Sequence, residues 1–180
     1  MKCTFYLKNK GNKERKLKPM ASIKYGCITP SVESVEMPVA ASQKFKHDSA
    51  NFVILDASGH IRLALTADTA LFGYAIIPKG RGAGSDDGVW ESSSTAGKDK
   101  ILVVKDPEAR YLIPASGEVT QANAGNAYDL IGVNDGTAQI VNLAAGVNDV
   151  VVIEKPGNTI ERGGANDAVV RINYSKFQAD

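Results

Sequence analysis

Histidine, cysteine and tryptophan are almost missing from this chain of 180 residues, which holds two, two and one of them. His47 and His60 are not at ligand spacing, so a metal site of clustered imidazoles and carboxylates lacks its raw material. Cys3 and Cys27 make neither a disulfide framework nor a four-ligand set, and as reduced thiols they pack as small hydrophobes. A Ser-His-Asp arrangement needs a histidine beside its serine, and no G-x-S-x-G turn is there to present one. No stretch of about 18 apolar residues is available to span a membrane. The basic N-terminal segment is not followed by the apolar stretch of a secretory signal. The expectation is a soluble, non-catalytic chain with no metal and no cofactor.

Three further patterns fail on inspection. Gly80-Arg81-Gly82-Ala83-Gly84 shares only its glycines with a dinucleotide loop, since Ser85 stands where a further glycine is required and no helix follows. Gly97-Lys98 is followed by Asp99, and Ser92 occupies the leading glycine position of a phosphate loop. Ser85-Asp86-Asp87-Gly88 lacks the alternating oxygens and closing Glu of a calcium loop. Asn173-Tyr174-Ser175 fits a glycosylation sequon, which without a secretory signal reads as accidental.

Charge is present but unevenly placed. The net charge is +1. Lys2, Lys8, Lys10, Lys13, Arg15, Lys16 and Lys18 against Glu14 give +6 to residues 1–18, which leaves −5 for the rest. The segment has no hydrophobic period and reads as a flexible basic arm, 1–19, that would use Lys8, Lys10, Lys13, Arg15 and Lys16 to dock on a partner. "KPMASIKYG" looks like a second beginning at Met20, so the arm also reads as an upstream extension of a domain over 20–180.

From there the chain is a series of short strands. "SVESVEM", bracketed by Pro30 and Pro38, alternates as an edge strand does. Phe52-Val53-Ile54-Leu55 and His60-Ile61-Arg62-Leu63-Ala64-Leu65 flank Asp56-Ala57-Ser58-Gly59 and predict a hairpin. Strands are further expected at 72–77, 100–104, 110–114, 118–120 and 168–174, with room for one helical turn at 121–126. "AYDLIGVNDGTAQIVNLAAGVNDVVVIEK", residues 127–155, predicts three more strands joined by Asn-Asp-Gly and Gly-Val-Asn-Asp turns. The insert at 79–100, with five glycines and no periodicity, predicts a long functional or mobile loop. About ten short strands without an amphipathic helix indicate an all-β domain, a single β-barrel or a two-sheet β-sandwich of jelly-roll or tulip-like type.

Two features suggest an interface. Val150-Val151-Val152-Ile153 carries no polar face, so Val150 and Val152 are expected to be covered by another subunit once a core has taken the other side. Trp90, the sole tryptophan, lies in the insert. It reads either as an anchor folded back on the domain or as an interface anchor.

The segment "YLIPASGEVTQANAGNAYDLIGVNDGTAQIVNLAAGVNDVVVIEKPG" followed by "DAVVRINYSKF" resembles the capsid decoration, or cement, proteins of tailed bacteriophages and cyanophages. The likeness covers residues 110–177 and lies in the "YDLIGV", "IVNL" and "NDVVVIEK" strands. It implies an all-β structural protein on the outer surface of the virion, made in the host cytoplasm. Such a protein would be a homotrimer, would bind the major capsid protein and stabilise contacts between capsomers, and would involve neither membrane nor direct nucleic-acid contact. A carbohydrate- or peptide-binding β-sandwich, or a tail or head-completion component, is the alternative.

Overall fold

The computed structural model describes residues 25–47, 49–77, 88–144, 146–161 and 163–178. Thirteen strands run in the order β1 (Gly26–Cys27), β2 (Ser34–Pro38), β3 (Lys44–Lys46), β4 (Phe52–Leu55), β5 (Ile61–Leu63), β6 (Gly73–Ile76) and β7 (Val89–Glu91), then β8 (Lys100–Val104), β9 (Tyr111–Pro114), β10 (Ala127–Ile131), β11 (Ile140–Asn142), β12 (Val151–Pro156) and β13 (Asp167–Ile172). No α-helix occurs among the described residues; single 3-10 turns sit at Gln121–Asn123, Gly157–Thr159 and Tyr174–Lys176.

The strands form a six-stranded sheet, β1-β9-β13-β12-β10-β11, a five-stranded sheet, β2-β8-β6-β4-β5, and a two-stranded ribbon, β3-β7, all with antiparallel pairing. The domain is therefore an all-β sandwich with an added ribbon. No closed barrel forms among the described residues. Single bridges curl the sheets instead: Val39 to Ile61 joins the two edges of the smaller sheet, and Ala115, just past β9, meets Val141 of the edge strand β11 in the larger.

The expected hairpin is present, with Val53 opposite Leu63 and Leu55 opposite Ile61. Asp56 sets its turn: Oδ1 accepts the N–H of Ser58 at 2.8 Å and of His60 at 2.9 Å, while Gly59 takes φ +77°, a conformation costly for side chains with a Cβ. β2 is an edge strand, as its alternation and flanking prolines predict.

Three strands exceed the sequence expectation. β1, β3 and β7 are two or three residues long, too short to show a period. β7 lies inside the glycine-rich insert, which is thus partly sheet; residues 79–87 of that insert are outside the described set. In the other direction, residues 118–120 join no sheet. Val119 is buried there and donates its N–H to the Ala165 carbonyl at 2.8 Å.

The five-stranded sheet has apolar residues on both faces. Phe52, Tyr74 and Val104 join the cluster shared with Tyr111, Tyr128, Leu130, Val151, Ile153 and Val170 of the larger sheet. Their sequence neighbours Val53, Ala75 and Val103 point the opposite way, into a second cluster with Phe45, Ile61, Phe72 and Trp90. Alternation along each strand divides these residues between two cores. Between the sheets Phe52 meets Tyr74 and Tyr111 edge-on, with centroids 5.2 and 5.1 Å apart, and Tyr74 stacks on Tyr111 at 4.7 Å, each pair adding about 1 kcal/mol beyond its burial.

Candidate interaction surface

The outer face of the six-stranded sheet is not an apolar plane. β12 alternates: Val151 and Ile153 are buried in the core, while Val152 and Glu154 are half-buried. Glu154 bonds Arg110 and lies 3.6 Å from Arg171 Nε, so an ion-pair network crosses that face.

Two of the sequence-derived interface residues are buried within the chain itself, and for Trp90 this is the folded-back anchor of the two readings. Val150, expected on a surface covered by another subunit, is 2% exposed and belongs to the chain's own core. It precedes β12, and its carbonyl accepts the N–H of Asn173 at 2.9 Å, which turns it inward. Trp90 stacks on Phe45, its cross-strand partner, at 5.5 Å between centroids and is 7% exposed. It anchors the insert to the domain and offers little surface to a partner. Val152 keeps partial exposure. Lys8, Lys10, Lys13, Arg15 and Lys16 lie outside the described residues, as does Cys3. Cys27 is half-buried and unbridged; burial pushes its thiol pKa up, and a hydrogen bond with Thr29 opposes the shift.

The large exposed apolar side chains gather elsewhere. Ile76 and Leu102 are cross-strand partners on β6 and β8, 40% and 46% exposed. Val133, Val147 and Tyr174 stand out on loops at 45%, 87% and 70%. The loop of Val147 is built round Asp129, a β10 carboxylate that is 8% exposed. Its oxygens accept three successive backbone N–H groups, from Val147 at 3.0 Å, Asn148 at 2.8 Å and Asp149 at 2.6 Å. Burial alone would raise the Asp129 pKa, but these bonds, with Lys176 nearby, hold it below the ordinary value of 3.8. A Cβ on Gly146 would stand 2.8 Å from Asp149 Oδ1 and 3.0 Å from Asp129 Oδ1, so a larger residue there would have to displace a carboxylate.

Hydrogen bonds link the three tips into one rim. Asn148 Nδ2 donates to the Thr66 carbonyl at 3.3 Å. Thr66 and Gly132 exchange bonds of 3.0–3.2 Å, which places Val133 beside the Val147 loop. On its other flank Asn173 Nδ2 donates to the Asp149 carbonyl at 2.7 Å, fixing the turn that begins at Tyr174. The sequon asparagine is thus a structural residue.

The chain matches no protein-family model and no curated protein sequence.

A shallow depression of about 380 Å³ is lined by Tyr25, Pro114, Ala165 and Asp167. Asp167 already accepts from the Tyr25 hydroxyl at 3.0 Å and the Gly164 N–H at 2.6 Å, so its carboxylate serves the fold. No group of three metal-ligating side chains occurs among the described residues.

Sequence reasoning did not single out Val133, Val147 or Tyr174. The signal was present in Gly146-Val147-Asn148-Asp149. A valine inside a turn composed of Gly, Asn and Asp has no core to enter and must face solvent.

Proposed function

We propose that this chain is a structural virion protein that binds the outer surface of a phage capsid and stabilises contacts between capsomers. The observation that supports this best is the rim of Val133, Val147 and Tyr174, three exposed apolar tips on turns tied together by hydrogen bonds. Ordered tips lose little conformational entropy on docking, and the largest apolar patch of a monomer is often functional. The likeness of residues 110–177 to decoration proteins names the kind of partner. The homotrimer rests on that likeness alone, because residues 150, 151 and 153 are used in the chain's own core.

The test is co-sedimentation with undecorated capsids of the virus that encodes the chain, with light scattering for mass. The expected result is a trimer that saturates the shells at a fixed ratio. A monomer that never sediments with shells, yet binds a glycan or peptide, would replace this reading with a binding module.

The basic arm contributes to attachment by charge. Deleting residues 1–19 should leave the melting temperature within about 2 °C of the intact chain, as expected where no core group is removed. Shell binding should weaken and lose part of its salt dependence. A truncated chain that does not fold would assign the arm to the core.

A further inference from the structure

We propose that the rim of Val133, Val147 and Tyr174 seats in uncharged apolar depressions that recur across the capsid lattice. This rests on the shell-binding reading above and adds which end of the sandwich makes the contact.

Three observations select this occupant. The first is size. Three side-chain tips offer roughly a few hundred Å², the scale of patches on ordinary monomers, against about 800 Å² per partner for a stable pairwise interface. A second copy of this chain seated on the rim alone would not be held. A lattice that presents the same depression to several linked copies holds them through combined weak contacts.

The second is charge. Arg62 is engaged by Asp68 at 2.7 Å, Lys176 lies within the field of Asp129, and Asp135 adds a carboxylate on the Val133 loop. Cations that would draw an anionic lipid surface are therefore offset on this rim, and an uncharged protein depression suits it better.

The third is rigidity. Asp129, Thr66 and Asn173 fix the loops of Val147, Val133 and Tyr174 through backbone hydrogen bonds. A surface held in advance recognises a shape, which a repeating lattice supplies.

The experiment compares the full chain, the double variant Val147→Ser with Tyr174→Ser, and the control Ile76→Ser with Leu102→Ser. Each is titrated against undecorated capsids of the encoding virus, with melting temperature and mass measured alongside. The rim variant should need at least tenfold more protein for half-saturation, with fold and mass unchanged, and the control should bind as the parent does. Val147→Ser alone, at the most exposed of these sites, keeps the test decisive if the double variant melts early, and it should then weaken binding by itself.

Each contrary result is distinct. A parent chain that ignores the shells removes both the proposed function and this occupant. A parent that binds, with a folded rim variant that binds equally well, overturns the rim and leaves the function standing. A rim variant that changes the mass makes the rim a self-contact, and rim-dependent flotation with phosphatidylcholine vesicles makes it a lipid contact. Either of those overturns the proposal.

Discussion

Replacing Gln139 by methionine should lower the melting temperature by about 10 °C, the shift that about 3–4 kcal/mol produces in a domain of this size. Gln139 is 1% exposed and lies where the edge of the six-stranded sheet meets the β4-β5 hairpin, bridged there to Ala50. Its Oε1 accepts the Phe52 N–H at 2.7 Å, and its Nε2 donates to the carbonyls of Phe52 at 3.0 Å and Ala64 at 2.7 Å. One side chain thus extends the contact between two sheets that otherwise meet here through a single bridge. Methionine has nearly the same volume, so little void is created. The Phe52 carbonyl keeps the Ala64 N–H at 2.9 Å. The Phe52 N–H and the Ala64 carbonyl lose the side-chain partner given above, and each buried orphan costs about 1–3 kcal/mol. Thermal denaturation of the two proteins measures this directly. A methionine variant that melts with the parent would mean that water or backbone shifts replace those bonds.

Gln139 also shows where the sequence stops being legible. Between Ala138 and Ile140 it reads as the polar member of a half-exposed strand, and strand alternation has no symbol for a polar group buried at a seam between sheets. Local features were readable because their causes are local: the Asp56 turn, the short apolar runs, the prolines round β2 and the single turn near Gln121. All-β character followed from them. What lay beyond was decided by contacts distant in sequence. The valines before Ile153 gave no polar marker to separate inward from outward, so the strand at 150–153 suggested an uncovered face. The structure turns Val150, Val151 and Ile153 into the core and leaves Val152 half-buried, and a register shift between Ile153 and Lys155 turns the later residues. The two-faced burial belongs instead to the five-stranded sheet, whose β4 and β8 carry the same kind of apolar run. The short strand β1 exists because the longer β9 receives it, whereas β3 and β7 receive each other and are held to the domain by Trp90 stacking on Phe45. At the rim the valine in the turn was visible, but the neighbours that make it part of a surface were not.

Asp129 ties that rim to acidity, and its replacement by asparagine should be costly only where the carboxylate is charged. In the folded chain it accepts three N–H groups, and an asparagine amide presents one oxygen while turning its NH₂ toward donors that need an acceptor. Charge-assisted bonds to a carboxylate are stronger than neutral ones, so a loss of about 2–3 kcal/mol near pH 7 is expected. The folded-state pKa is depressed relative to 3.8. The carboxylate's contribution is therefore full above that ordinary value and disappears as pH falls through the lower folded-state value. Urea denaturation at pH 7 and at progressively lower pH should show the parent and Asp129→Asn converging below about pH 4. Hydrogen exchange at Val147, Asn148 and Asp149 should accelerate in the variant at pH 7, since these amides lose their acceptor. A stability gap that stays constant down to pH 3 would assign the loss to packing instead of charge. Unchanged exchange at the three amides would show that the loop holds its shape without the carboxylate, and shell binding by the variant should then match that of the parent. If the carboxylate does order the loop, the variant should bind shells more weakly at pH 7 even though Val147 itself is intact.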